Sequence, residues 1–120
     1  YIEFGSHTVN HVLTPNCNFS QLSTELRKSK EDIEELTGKM VSAFSYPNGD
    51  YSSRDIEVLK KQAYSLAATT ESREITKEDN IYLVPRFSGG LDDISFQESL
   101  CRSLCIWDSS IEKFKNIIRN

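Results

Sequence analysis

Apolar positions recur with two periods along this chain, and the change from one to the other marks its elements. Leu22, Leu26, Ile33 and Leu36 follow one another at spacings of four, seven and three, with Ser29 in the gap. That stripe predicts an amphipathic helix starting near Asn18 or Ser20 and stopped by Gly38. Glu25, Arg27, Lys28, Lys30, Glu31, Asp32, Glu34 and Glu35 fall to its solvated face, with several opposite charges four apart. Met40 to Tyr46 alternates as a strand does, and Pro47-Asn48-Gly49 stops it. Ser52 or Ser53 caps a second helix whose shared face is Ile56, Leu59 and Ala63. Ser65 to Thr69 reads as the next strand and residues 71–80 as an exposed charged loop. Ile81 to Phe87 is β-prone until Pro85, and Ser88-Gly89-Gly90 continues into a loop. From 92 to 120, Ile94, Leu100, Leu104, Ile111, Phe114 and Ile118 lie at mostly helical spacing, broken near Trp107 and recapped by Asp108 or Ser109.

The predicted order is β-α-β-α-β-β-α, which implies an α/β fold with mainly parallel strands and outer helices. Its 120 residues suit a single domain with a modest core. Four parallel strands alone leave edges open and faces half covered, so the expectation is a piece of a larger domain. A net charge of −4 and a pI near 5.2 lack the basic patch that nucleic acid or an anionic membrane requires. No apolar run approaches the roughly 20 residues of a membrane span. Three cysteines cannot all pair. Cys17 is isolated, while Cys101 and Cys105 lie one helical turn apart and read as small buried hydrophobes before they read as ligands.

Candidate chemistry concentrates in Phe4-Gly5-Ser6-His7-Thr8-Val9-Asn10-His11, which holds both histidines of the chain. Two imidazoles four residues apart can share one metal ion, each neutral nitrogen binding zinc at about 2.0–2.1 Å. Thr8 and Val9 are β-branched and stiff in a helix, so the pair is expected on a loop leaving a strand. Two histidines that merely fall near each other are the alternative, because so short a motif recurs by chance.

The flanking residues carry a resemblance. Gly5-Ser6-His7-Thr8-Val9-Asn10-His11 is similar to the metal motif of the NodB-homology polysaccharide deacetylases, carbohydrate esterase family four. Phe44-Ser45-Tyr46-Pro47-Asn48-Gly49-Asp50-Tyr51 resembles the same family's groove motif. Glu35-Leu36-Thr37-Gly38-Lys39 resembles its helix end, and Ala63 to Thr70 its following strand. The matched region runs over about residues 1–90 of a single partial domain.

The resemblance implies part of a distorted (β/α) barrel and a metal-dependent hydrolase removing acetyl groups from an N-acetylated polysaccharide or peptidoglycan-like glycan. It assigns His7 and His11 to a divalent metal, most commonly zinc, and Thr8 to a supporting position beside them. The Asn48 backbone N–H would face the oxyanion, with Tyr46, Pro47, Gly49 and Tyr51 as a groove wall. A plain β-turn is the other reading of Tyr46 to Gly49. Arg86 would orient the base, or is a surface arginine after a strand. The family's Thr-Phe-Asp-Asp motif and its late Leu-x-His motif have no counterpart in these residues. The chain alone is therefore expected to be inactive, and a non-catalytic carbohydrate-binding relative is the alternative. The compartment is not legible here; the resemblance points only to a cell-envelope association of the parent protein.

Overall fold

The computed structural model describes residues 2–86. Tyr1, the predicted helical segment with Cys101 and Cys105, and the Ser88-Gly89-Gly90 loop lie outside the described residues. Strand β1 is Gly5–Ser6, helix α1 Phe19–Thr37, strand β2 Ala43–Ser45, helix α2 Ser53–Lys61 and strand β3 Leu66–Ala68. Short 3-10 turns occupy Thr14–Asn16 and Pro47–Gly49.

The three strands form one parallel sheet in the order β1-β2-β3. Gly5 stands opposite Ala43, and Phe44 opposite both Ser6 and Ala67. Parallel neighbours need crossover connections, and α1 and α2 supply them. The α/β reading holds: this is a partial parallel arc with helices packed against it.

Local chemistry explains both helices. Asn18 caps α1 by accepting the Gln21 amide at 2.9 Å, and Gly38 ends it in the left-handed conformation at φ 66°. Ser52 and Asp55 form a reciprocal capping box at the start of α2. On the wet face of α1, Arg27 pairs with Glu31 and Lys28 with Asp32, each one turn apart. Exposed pairs of this kind contribute about 0.3–0.5 kcal/mol each.

Leu22, Leu26, Val41, Phe44, Val58, Leu59, Tyr64 and Ala67 make the core between helices and sheet. Three phenols stitch it together. The Tyr64 hydroxyl donates to Leu26 O at 2.9 Å, Tyr82 to Tyr64 O at 2.8 Å and Tyr46 to Tyr82 O at 3.0 Å.

Several elements differ from expectation. Leu36, predicted on the apolar stripe, is 87% exposed in the last turn of α1. Glu25, predicted on the wet face, is buried. The inner face of α2 is Asp55, Val58 and Leu59; Ala63 lies past the helix end at φ 57° and Ile56 is only half-buried. The strand predicted from Ile81 to Phe87 reduces, within the described residues, to one parallel bridge between Ala68 and Val84. The loop over 71–80 is exposed as expected, and Arg73 closes it by pairing with Asp79, whose carboxyl is thereby held well below its usual range.

Two truncations on α1 separate the predicted stripe from the observed one. Leu26→Ala should cost about 2–5 kcal/mol, the range for emptying a fully packed site. Leu36→Ala should stay within about 0.5 kcal/mol, as surface changes do. Urea unfolding of the two variants checks both; equal losses would contradict the packing.

Candidate active site

Parallel strands place the loops that follow them at one end of the sheet. Here those loops are residues 7–13 after β1, 46–52 after β2 and 69–71 after β3. The first carries the histidines, the second Asn48 and the third the carbonyl that receives Arg86. The strand ends thus bring together residues far apart in sequence.

His7 and His11 face each other with ring centroids 4.9 Å apart and planes 69° apart. Both side chains are exposed. His7 Nδ1 lies 2.7 Å from Ser45 O, the last residue of β2. A carbonyl can only accept, so Nδ1 carries the proton, and in the neutral ring Nε2 keeps its lone pair. A backbone partner behind one ring nitrogen is how metal-binding histidines are commonly oriented. The pair therefore fits as two ligands of a divalent cation. Among the described residues, no three His, Cys, Asp or Glu side chains gather closely enough to hold one alone.

The turn joining the histidines bends sharply. Thr8 has φ 65° and His11 φ 53°, left-handed values that a β-branched threonine rarely adopts. Such residues cost about 1–3 kcal/mol each and persist only where surrounding structure imposes them. Glu25 is what imposes the turn. Its Oε2 accepts the amides of Val9 at 2.8 Å and Asn10 at 3.0 Å, and its Oε1 accepts the Asn10 side-chain amide at 2.6 Å. Burial opposes its charge, but the hydrogen bonds from Asn10 and Val9 outweigh burial and hold the carboxyl below its ordinary range.

Thr8 sits half-buried over this turn, and its hydroxyl oxygen, shielded from solvent, has no hydrogen-bond partner among the described residues. Beyond His11, Thr14 ties the first loop to the second. Its hydroxyl lies 2.7 Å from Asp55 Oδ2 and 3.2 Å from Asp50 O. Asp55 also accepts the Ser52 amide at 2.9 Å, so one buried carboxylate joins the α2 cap to the histidine loop.

Within the second loop, Tyr46 and Pro47 are buried, whereas Asn48 and Tyr51 are exposed. The Tyr46 and Tyr51 rings lie 5.5 Å apart. Asn48 takes φ 57° and Gly49 φ 82°. Thr70, after β3, presses on this bend and its hydroxyl donates to Asn48 O at 3.1 Å. A Cβ on Gly49 would meet the Thr70 hydroxyl and lie 2.8 Å from its backbone nitrogen, so only glycine fits. Arg86 Nε donates to Thr69 O at 2.8 Å, which puts this arginine at the same end of the sheet.

The family profile described as polysaccharide deacetylase matches residues 2–67. The chain belongs to the polysaccharide deacetylase family. It is 25% identical over 85 residues to YxkH of Bacillus subtilis (strain 168), named as a polysaccharide deacetylase, covering 71% of this chain and 30% of that protein. A polysaccharide deacetylase from Bacillus cereus superposes with a TM-score of 0.61 at 33% identity, over 68% of this chain and 26% of its own. The deacetylase PplD of Streptococcus pyogenes, solved with acetate, shares the fold at a TM-score of 0.65 and 24% identity, over 67% of this chain and 35% of its own. The chain thus spans about a quarter to a third of the length of these relatives.

Sequence reasoning missed Glu25, Thr14, Asp55 and Ser45. For Glu25 the signal was present: it stands three after Leu22 and four before Ser29, on the stripe itself. Ser45 acts through its carbonyl, which no side-chain pattern can reveal.

Two outcomes follow from these contacts. Gly49→Val should destabilise the chain by at least about 1–3 kcal/mol from the positive φ alone, with the Thr70 collision added. A thermal melt checks this; a variant as stable as the parent would contradict the packing. Glu25, whose folded pKa lies below its unfolded one, stabilises the fold above the ordinary glutamate pKa of about 4.3, and that stability drains as pH falls through the folded value. Glu25→Gln cannot titrate and should flatten the acid limb of a stability-against-pH curve measured in urea; an unchanged limb would contradict the assignment.

Proposed function

We propose that this chain contributes part of the active site of a metal-dependent carbohydrate N-deacetylase acting on an N-acetylated polysaccharide or peptidoglycan-like glycan. One observation carries the proposal: in a polysaccharide deacetylase family member, the His7 and His11 rings meet edge to face, 4.9 Å apart, with the His7 Nδ1 proton given to Ser45 O. A zinc-class cation held there would supply a Lewis acid that polarises the amide carbonyl and makes water a nucleophile near neutral pH.

The chain's own residues would divide the remaining work. His7 presents Nε2 because Ser45 occupies its other nitrogen. Asn48, on the exposed bend, offers its N–H to the developing oxyanion, and a donor of that kind is worth about 2.7–4 kcal/mol in the transition state. Tyr51 and Asn48 form the solvent side of a groove wall backed by Tyr46, Pro47 and Gly49. Arg86, fixed on Thr69 O, would orient the catalytic base. The carboxylate ligand, the base and the general acid would come from outside residues 2–86, since only two metal-ligating side chains converge within them.

The test separates binding from catalysis. His7→Ala and His11→Ala should each abolish zinc uptake while leaving helix content intact; unchanged zinc content in both would sink the metal assignment. Purified as 120 residues, the wild-type chain should release no acetate from N-acetylated glycan, because base and acid each contribute typically 10²–10⁴-fold. Chelator-sensitive acetate release would show that the machinery is complete within it. A glycan-binding relative without activity would keep glycan and zinc binding but release no acetate in its longest form.

A further inference from the structure

We infer that Glu25 is a positioning residue for the histidine pair, acting chiefly on His11; the inference rests on the metal reading above. The two imidazoles are anchored unequally. His7 follows β1 directly and its Nδ1 is tied to Ser45 O at 2.7 Å. His11 has no such tie: its ring touches the His7 ring, and among the described residues no hydrogen bond reaches it. Its position follows from the backbone that delivers it.

That backbone is the strained part of the loop. Thr8 and His11 take left-handed φ values on either side of Val9 and Asn10. The amides of Val9 and Asn10 both point to one carboxylate oxygen of Glu25, and the Asn10 side chain occupies the other. Only a side chain with two acceptor oxygens and no donor can receive all three as they stand. Glu25 lies on the buried face of α1 beside Leu22 and Leu26, which are fully packed, so the carboxylate is fixed to the core at its base. A rigid helix thus sets where a strained surface loop places its second imidazole. Remove the acceptor, and the turn relaxes towards ordinary φ values and the rings separate.

Glutamine tests the geometry apart from the charge. Its single oxygen still accepts the two amides, and its NH2 group meets the Asn10 side chain once that amide flips. Alanine accepts nothing, and aspartate falls one methylene short.

The experiment is zinc affinity of the full chain, measured with zinc alone against a chromophoric chelator, alongside melting temperature. Glu25→Ala and Glu25→Asp should each weaken zinc about 10–100-fold, the usual loss when a group supporting a ligand is removed, and Glu25→Gln should recover most of it. In the metal-free protein, cross-relaxation between the His7 and His11 ring protons should disappear in Glu25→Ala and persist in Glu25→Gln. Wild-type zinc affinity in whichever of the Ala and Asp variants folds would overturn the inference, even with a lowered melting temperature, because that is what a purely structural glutamate does. His7→Ala and His11→Ala distinguish the two failures. If they lose zinc while the Glu25 variants keep it, only the positioning role falls; if they keep it too, the metal reading falls and the inference with it.

Discussion

The register between β1 and β2 governs the active end of this molecule. Gly5 faces Ala43 so closely that a Cβ on it would lie 3.3 Å from Ala43 O, and Ser6 pairs with Phe44. Because side chains alternate along a strand, this register buries Ser6 and turns His7 outward just past the strand's end. A slip of one residue would invert both and send an imidazole towards the core. The same register brings His7 level with the Ser45 carbonyl 38 residues away, so a ladder of backbone bonds decides the tautomer of a side chain.

Rigidity and strain are divided sharply in this fold. Among the described residues, four non-glycine residues carry positive φ; Ala63 closes α2, and the other three, Thr8, His11 and Asn48, all lie in the loops after β1 and β2. Both loops are tied to residues outside them. Glu25 on α1 grips the first loop, Thr14 bonds to Asp55 on α2, and Thr70 after β3 bonds to Asn48 O. Strain persists where the scaffold over-determines it, and the scaffold here does so from three sides.

Much of this was readable in advance, for identifiable reasons. Leu22, Leu26 and Ser29 repeat along α1, and Asn18 and Gly38 are residues whose chemistry suits the ends they occupy, so the helix was legible to within a residue. The alternation of strands and helices gave a parallel sheet, and parallel strands place His7 and Asn48 at one end whatever their details. What failed was local. Leu36 fits the period, but a period alone cannot say which of its positions the fold covers. Glu25 was assigned by its charge when its spacing placed it inside, because a carboxylate on an apolar face makes sense only once three donors from a distant loop are seen meeting it. Ile81 to Val84 has β composition, yet Tyr82 turns its hydroxyl to Tyr64 O and leaves one bridge in place of a ladder.

The chain of phenols through the core has a consequence at the alkaline end of the pH scale. Burial pushes the Tyr46 hydroxyl far above its usual range, with Asp55 adding to the effect, and burial raises Tyr64 as well. Both must stay protonated to donate to Tyr82 O and Leu26 O. In the unfolded chain they ionise near the ordinary tyrosine value of about 10, so the fold keeps their full contribution below that pH and loses it as pH rises towards the higher folded values. Tyr82 accepts at its carbonyl from one of these phenols and donates through its own to the backbone of the other. Ionisation of Tyr46 therefore loosens the segment carrying Val84 and Arg86, while ionisation of Tyr64 releases its tie to Leu26 O on α1, so alkali acts on the segment and on the helix through separate phenols.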